Sequence, residues 1–327
     1  MTVSKNLARS VVCFVIGVLP MSLSFGGERQ SLVERLGYDK DARLLIVNAD
    51  DFGMCHSANM GTFKAFESGG VTSATIMATC PWFLEAAQWL EKNPQYDVGL
   101  HTVLTSEWRT YKWGPVAGAG TVPSLCTPMG YFPAGVVELY LRGKPDEVEQ
   151  ELRAQIARAL NANIDLTHLD SHMGAAQLHP VYLSIFAKLG SEFQLPCRMP
   201  SRETLDREYG AGGLLDQFEE LGVICPNELL QGSAPNVSEV ESFWKSRLSQ
   251  LQPGYVTEVF IHCADDSPEM KAVTGSQALR FAETEFFSDP ETVQWIQDQG
   301  IIVISYRPLR DLQRGARQEA YDRHPPK

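Results

Sequence analysis

The segment Leu44-Leu45-Ile46-Val47 constrains this chain more than any other, because a short, partly β-branched apolar run stops abruptly at Asn48-Ala49-Asp50-Asp51. Such a run reads as a parallel strand buried on both faces, with its polar residues at the carboxyl end. After Phe52-Gly53 comes a helical stretch over 56–68, closed by Gly69-Gly70. The alternation then continues. Strand patterns fall at 71–77, 98–101 and 166–171, near Cys197 and Val223, and at 256–262 and 301–305. Helical patterns fall at 82–92 and 145–162, the latter with Glu147, Glu149 and Glu151 near its start, where the helix dipole favours acids. Strand–helix alternation of this kind means a mainly parallel sheet. Seven or eight strands predict a (β/α) barrel, with an open doubly wound sheet as the alternative. Residues 106–134 break the rhythm, being rich in Gly, Pro, Trp and Tyr, and read as a functional loop or lid.

Both ends lie outside this pattern. Lys5 and Arg9 precede an apolar run from Ser10 to Phe25 with small residues at Ser22 and Ser24, which reads as a secretory signal peptide over 1–24. The run is too short and broken for a membrane span of about 20 residues, so no stable membrane insertion is expected once it is removed. The expected location is periplasmic or extracellular. Residues 25–42 form a lead-in segment, 43–314 the barrel domain and 315–327 a polar, frayed tail. The formal net charge of −12 becomes −14 in the mature chain, since only Lys5 and Arg9 leave as charged residues. That excludes a nucleic-acid binder, which needs a basic surface. Six cysteines remain after export, at 55, 80, 126, 197, 225 and 263, without a CxxC spacing. Fifteen disulfide pairings are open to them, and buried thiols are the plainer reading. A homodimer and a monomer are both compatible with the sequence.

In parallel α/β folds, functional side chains gather at the carboxyl ends of strands. Asp50 and Asp51 end the first strand, His101 the third, Asp170 and His172 the fourth, and His262 the late one. Carboxylates and imidazoles meeting from separate parts of the chain suit a hydrolytic metal site, which needs about three protein ligands and open positions. Each residue also has a plainer reading. Asp50-Asp51 could cap the next helix, and His101 alone could be a hydrogen-bonded rim residue. His168 shares a strand face with Asp170 and His172, but lies earlier and deeper, as a supporting residue rather than a ligand. His179, before Pro180 at a helix start, reads as structural.

Taken in order, Leu44 to Gly53, Gly70-Val71-Thr72-Ser73, Gly99-Leu100-His101-Thr102-Val103-Leu104-Thr105 and Thr167-His168-Leu169-Asp170-Ser171-His172 resemble the YdjC-like carbohydrate deacetylase family, to which chitooligosaccharide deacetylases belong. The resemblance runs from Arg43 to Arg307. It implies a divalent metal held by Asp51, His101 and His172, with Asp50 as general base; two imidazoles and a carboxylate suit Zn, and also Mn, Co or Ni, while the resemblance admits Mg, and Mg or Zn is expected. It also implies an N-acetylated mono- or oligosaccharide as substrate. His262 ends a strand similar to the family's late strand and is placed to protonate the departing amine. Arg198 would orient Asp50 or touch substrate, and Trp108, Trp113 and Tyr131 would stack on sugar rings, with core packing the alternative for each. One departure stands out. Met173-Gly174-Ala175 follows His172 where chitooligosaccharide-type members often carry further histidines, which leaves the sugar open. Rival readings are a carbohydrate-binding barrel that has lost turnover, a metal-dependent phosphoesterase, and a glycosidase built on Asp50 with Asp170 or Asp265. The last leaves His101 and His172 unexplained.

Overall fold

A computed structural model describes residues 30–323 except residue 211. The expected signal peptide and the first residues of the lead-in lie outside the described residues. Among the described residues no helix is long and apolar enough to cross a membrane.

The strands are β1 (Arg43–Phe52), β2 (Ser73–Ile76), β3 (Val98–Thr102), β4 (Leu166–Ser171), β5 (Glu228–Leu230), β6 (Val256–His262) and β7 (Ile301–Val303). All pairings are parallel, in the order β4-β3-β2-β1-β6-β5, with β7 also on β1. β1 is longer than its apolar run, because the ladder with β6 carries on from Leu44↔Val256 to Asp50↔His262. It also splits one edge between two partners, giving Arg43 to Leu45 to β7 and Asn48 to Phe52 to β2. At the fork the Thr72 hydroxyl donates to the carbonyl of Ile304 at 2.6 Å, so the gap between β2 and β7 is bridged by a side chain.

The sheet curls into a half-barrel, and period-2 alternation decides what faces inward. Leu44 and Ile46 join Val256, Ile224 and Tyr306 in an inner apolar cluster, whereas Leu45, Val47 and Ala49 face the main helix-covered core. Further along the same inward face come Asn48 and Asp50 on β1, Glu258 on β6 and His168 and Asp170 on β4. The Arg198 guanidinium touches Asp50, Asp170 and Glu258 at once, a contact among three strands that a flat sheet could not bring together. The curl therefore disfavours the open doubly wound alternative.

Two expected strands are reduced. Near Cys197 there is a single bridge to Leu169, and the segment at Val223 joins it through the bond from the Cys197 amide to the Ile224 carbonyl at 3.0 Å without forming a ladder. Pro196, Pro200 and Pro226 lack the amide donors that a ladder needs. The paired strand comes later, at Glu228–Leu230.

The lead-in is structured as the helix Leu32–Arg35, with a Ser31/Glu34 capping box. Its Val33 is buried in the inner apolar cluster with Leu44 and Ile46. The expected frayed tail is instead helix, since Arg307–Arg323 runs through Gly315. Arg310 on that helix bonds Asp165 at 2.7 Å, and Gln313 accepts from the Ile224 amide at 2.8 Å. These contacts hold its buried face, while residues 324–327 lie outside the described residues. The 106–134 stretch is irregular as expected. Helix Pro145–Asn161 clamps it, with the Glu151 carboxylate accepting from the amides of Val116 and Ala117 at 2.9 Å each, and Glu147 from Ser124 at 2.7 Å.

Candidate active site and its metal-ligand triad

At the carboxyl rim of the sheet, β1 turns out of the ladder at Asp51, whose φ of +64° is in the left-handed region. A non-glycine residue there is uncommon and costs energy that surrounding structure must offset. The turn aims the Asp51 carboxylate at two rings. His101 Nε2 lies 3.5 Å and His172 Nδ1 3.4 Å from Asp51 Oδ1, and the two nitrogens are 3.3 Å apart. The structure thus brings together the three residues expected as ligands, all buried, with their donor atoms within 4.8 Å of one another.

The donor set fits a divalent cation. The Asp51 carboxylate is fully buried, with Oδ2 facing the Arg280 guanidinium at 2.8 Å. Oδ1, turned towards the two imidazoles, lacks a well-formed hydrogen bond, an expensive state for a carboxylate oxygen unless a cation completes it. Each ring is also held as a metal ligand's ring usually is, by a carboxylate on its other nitrogen. Asp170 Oδ1 takes His101 Nδ1 at 2.6 Å, freeing Nε2 to face the centre. Glu107 Oε2 lies 2.9 Å from His172 Nε2, leaving Nδ1 to face it. Burial alone would lower both imidazoles, but the surrounding carboxylates reverse this. Asp170 pushes His101 up to about 10, and Asp51 with Glu107 pushes His172 up to about 9. The pocket therefore demands positive charge, which a dication would supply in place of protons.

A second grouping, Asp50 with His101 and Asp170, already has its cation. Arg198 is buried and bonds both Asp50 oxygens at 2.7 and 2.8 Å, Asp170 Oδ2 at 2.8 Å and Glu258 Oε1 at 2.6 Å. Burial would raise the Asp50 carboxyl, yet the guanidinium brings it down to about 2. Asn48 Nδ2 adds a bond to Asp50 Oδ1 at 2.8 Å. Of the two sequence alternatives for Arg198, orienting Asp50 is what the geometry supports. Glu258 shares the same arginine and takes the Tyr306 hydroxyl, but burial leaves it raised to about 7.

His262 lines the same cavity of about 360 Å³, together with Asp50, Asp51, His101, His172, Gln177 and Arg280. Burial, and next the Arg280 charge, lower its pKa to about 4. It is thus a neutral imidazole at pH 7, able to accept a proton before it donates one. His168 is deeper, stacked on Tyr306 at 3.6 Å and 6°, and is not among the ligand atoms. The stack lies against Gly99, where a Cβ would come within 2.4 Å of His168 Nδ1. Trp108 does not line the cavity. Its half-buried ring faces the Arg280 guanidinium at 5.7 Å and meets Trp113 edge-on at 5.3 Å. Trp113 is buried and Tyr131 lies at the surface, neither on the cavity wall. His179 is wedged between Tyr140 and Tyr182, as a structural residue would be. The cysteines at 55, 80, 126, 197, 225 and 263 are free thiols, all but Cys225 buried.

Three participants escaped the sequence reading. Arg280, on helix Gln277–Ser288, places Nη1 2.8 Å from Asp51 Oδ2. No strand-end position or motif marks it. Glu107 follows the third strand by only a few residues, but in a stretch without period. Tyr306 sits in the closing segment and had no visible partner in sequence.

The family described as YdjC-like protein matches residues 44–298, most of the chain. The chain belongs to that family. Among YdjC-like relatives, a protein named carbohydrate deacetylase from Brevibacillus brevis is 32% identical over 81% of this chain and 99% of its own length. Another of that name, from Geobacillus stearothermophilus, is 29% identical over 83% of this chain and 99% of its own. Relatives so named support deacetylase activity for this chain. Among solved structures, one from Enterococcus faecalis V583, described as "a putative cellobiose-phosphate cleavage protein", superposes with a TM-score of 0.71 at 26% identity. It covers 82% of this chain and 99% of the other.

Proposed function

We propose that this protein is a metal-dependent hydrolase that removes N-acetyl groups from amino sugars or short oligosaccharides, and that residues 1–24 direct its export. The carrying observation is Asp51, whose buried Oδ1 lacks a well-formed hydrogen bond while two carboxylate-backed imidazoles converge on it. Asp51, His101 and His172 would hold one divalent metal. Two imidazoles and a carboxylate suit Zn, and the family resemblance admits Mg. When bound, the metal supplies Lewis acidity towards the acetamide oxygen and lowers the pKa of a water from 15.7 towards about 7.

The chain's own groups account for the proton movements. Asp50, kept ionised and fixed by Arg198, accepts the proton of the attacking water. A carboxylate of such low basicity holds that proton only briefly. His262, opposite Asp50 in the β1–β6 register and neutral at pH 7, can take up a proton and pass it to the departing amine nitrogen. The acetyl carbon gains the water's hydroxyl, the C–N bond breaks, and acetate and a free amine leave. Arg198 is committed to three carboxylates and Arg280 to Asp51, so the two arginines lining the cavity are not free to bind a phosphate. This weighs against the phosphoesterase reading.

Metal-stripped protein incubated with N-acetylated sugars, with and without each divalent metal, tests the proposal by released acetate. Metal-dependent acetate is expected. Acetate release that survives chelation, or none with any metal and sugar, would sink it. Mass spectrometry of the protein recovered outside the cytoplasm checks export through loss of the first 24 or so residues.

A further inference from the structure

We propose that Glu107 is a positioning residue for the metal site, and that through it metal binding and the ordering of residues 106–113 are linked. The inference rests on Asp51, His101 and His172 holding a metal. Both histidines have a carboxylate on the nitrogen turned away from Asp51, but the two carboxylates differ in origin. Asp170 belongs to β4, paired in register with His101 itself. Glu107 is a quarter exposed and belongs to a segment without regular structure.

That segment reaches the site twice more, once at a ligand residue and once at a residue paired with one. Trp113 meets the His172 ring edge-on at 5.9 Å, and its indole nitrogen is anchored on the Thr105 carbonyl at 2.8 Å. Trp108 lies under the Arg280 guanidinium, which pairs with Asp51. A carboxylate on a ligand imidazole fixes its tautomer and orientation and raises its basicity, and losing one typically costs 10–100-fold in metal affinity. Because coupling is reciprocal in binding free energy, whatever the segment contributes to the metal, the metal returns to the order of the segment.

The test uses the full chain, stripped of metal, with Zn²⁺ alone as the probe. Binding is measured by calorimetry for the wild type, Glu107→Gln, Glu107→Asp and Asp51→Asn. Hydrogen exchange of residues 106–113 is followed with and without Zn²⁺. Expected are a roughly 10–100-fold weaker Kd for Glu107→Gln, partial recovery in Glu107→Asp, and Zn²⁺-induced protection of 106–113 in the wild type that Glu107→Gln loses. The metal-free melting temperatures should agree, which separates positioning from a merely structural role. If the wild type binds, Asp51→Asn does not, and Glu107→Gln binds and protects like the wild type, the proposal is overturned while the metal site stands. If the wild type does not bind, or Asp51→Asn binds equally well, the metal site fails and the proposal with it.

Discussion

Replacing Arg198 by methionine should change both the stability of this protein and the sign of Asp50's contribution to its pH dependence. The guanidinium is buried and contacts Asp50, Asp170 and Glu258 at 2.6 to 2.8 Å. Removing one partner of a buried pair leaves uncompensated charge and typically costs about 3–5 kcal/mol. The Asp50 carboxyl gives an independent gauge. Its descent from 3.8 to about 2 is worth roughly 2.5 kcal/mol on that residue alone. Glu258, already raised to about 7, can take a proton and soften the loss, which holds the expected total near 3–5 rather than a multiple of it. In the wild type, Asp50's contribution is full above the ordinary carboxylate range and is lost as pH falls towards 2. In Arg198→Met, burial, the largest influence on Asp50, is opposed only by the Asn48 bond and the nearby imidazoles and raises its pKa. The folded state then binds the extra proton, and the stability deficit against the wild type should shrink as pH falls from 8 to 5. Urea denaturation at several pH values reads both effects, with Arg198→Lys, which cannot match three carboxylates with a planar fork, falling between. A loss below about 1 kcal/mol at pH 7, or a stability deficit against the wild type that does not shrink between pH 8 and 5, would refute the reasoning.

Asp50→Asn should bring acetate release to background while Zn²⁺ still binds by calorimetry, because Asp50 faces Arg198 rather than the triad; full activity would remove it as the base. Gly99→Ala should cost roughly 1–3 kcal/mol in denaturant unfolding, since its Cβ would fall 2.4 Å from His168 Nδ1 and unseat the Tyr306 stack. A change within a few tenths would mean that His168 has room to move.

Strand-end chemistry was legible because it is local. An apolar run that stops at Asp50-Asp51, and others that stop at His101, at Asp170 and at His262, announce which residues reach the rim of a parallel sheet whatever its curvature. Period-2 alternation likewise puts His168 with Asp170 on one face and makes His168 the deeper of the two. Where proline removes ladder donors, as at Pro196 and Pro226, an apolar stretch does not become the strand its composition suggests. The C-terminal helix misled for the opposite reason, because its polar residues past Gly315 belong to an element anchored by a few earlier buried contacts.

Curvature lay outside any local pattern, and much of the site's chemistry depends on it. Only the curl carries Arg198 to Asp50, Asp170 and Glu258 on three strands, and so fixes a low-pKa carboxylate beside the triad. Arg280 and Glu107 reach Asp51 and His172 from a late helix and an irregular segment, 229 and 65 residues away in sequence, where neither spacing nor periodicity could relate them. The sequence by itself determined which carboxylates and imidazoles stand at the strand ends and so on the sheet rim. Tertiary structure decided their charge states and orientations, because those depend on which buried charges end up within about 3 Å of one another.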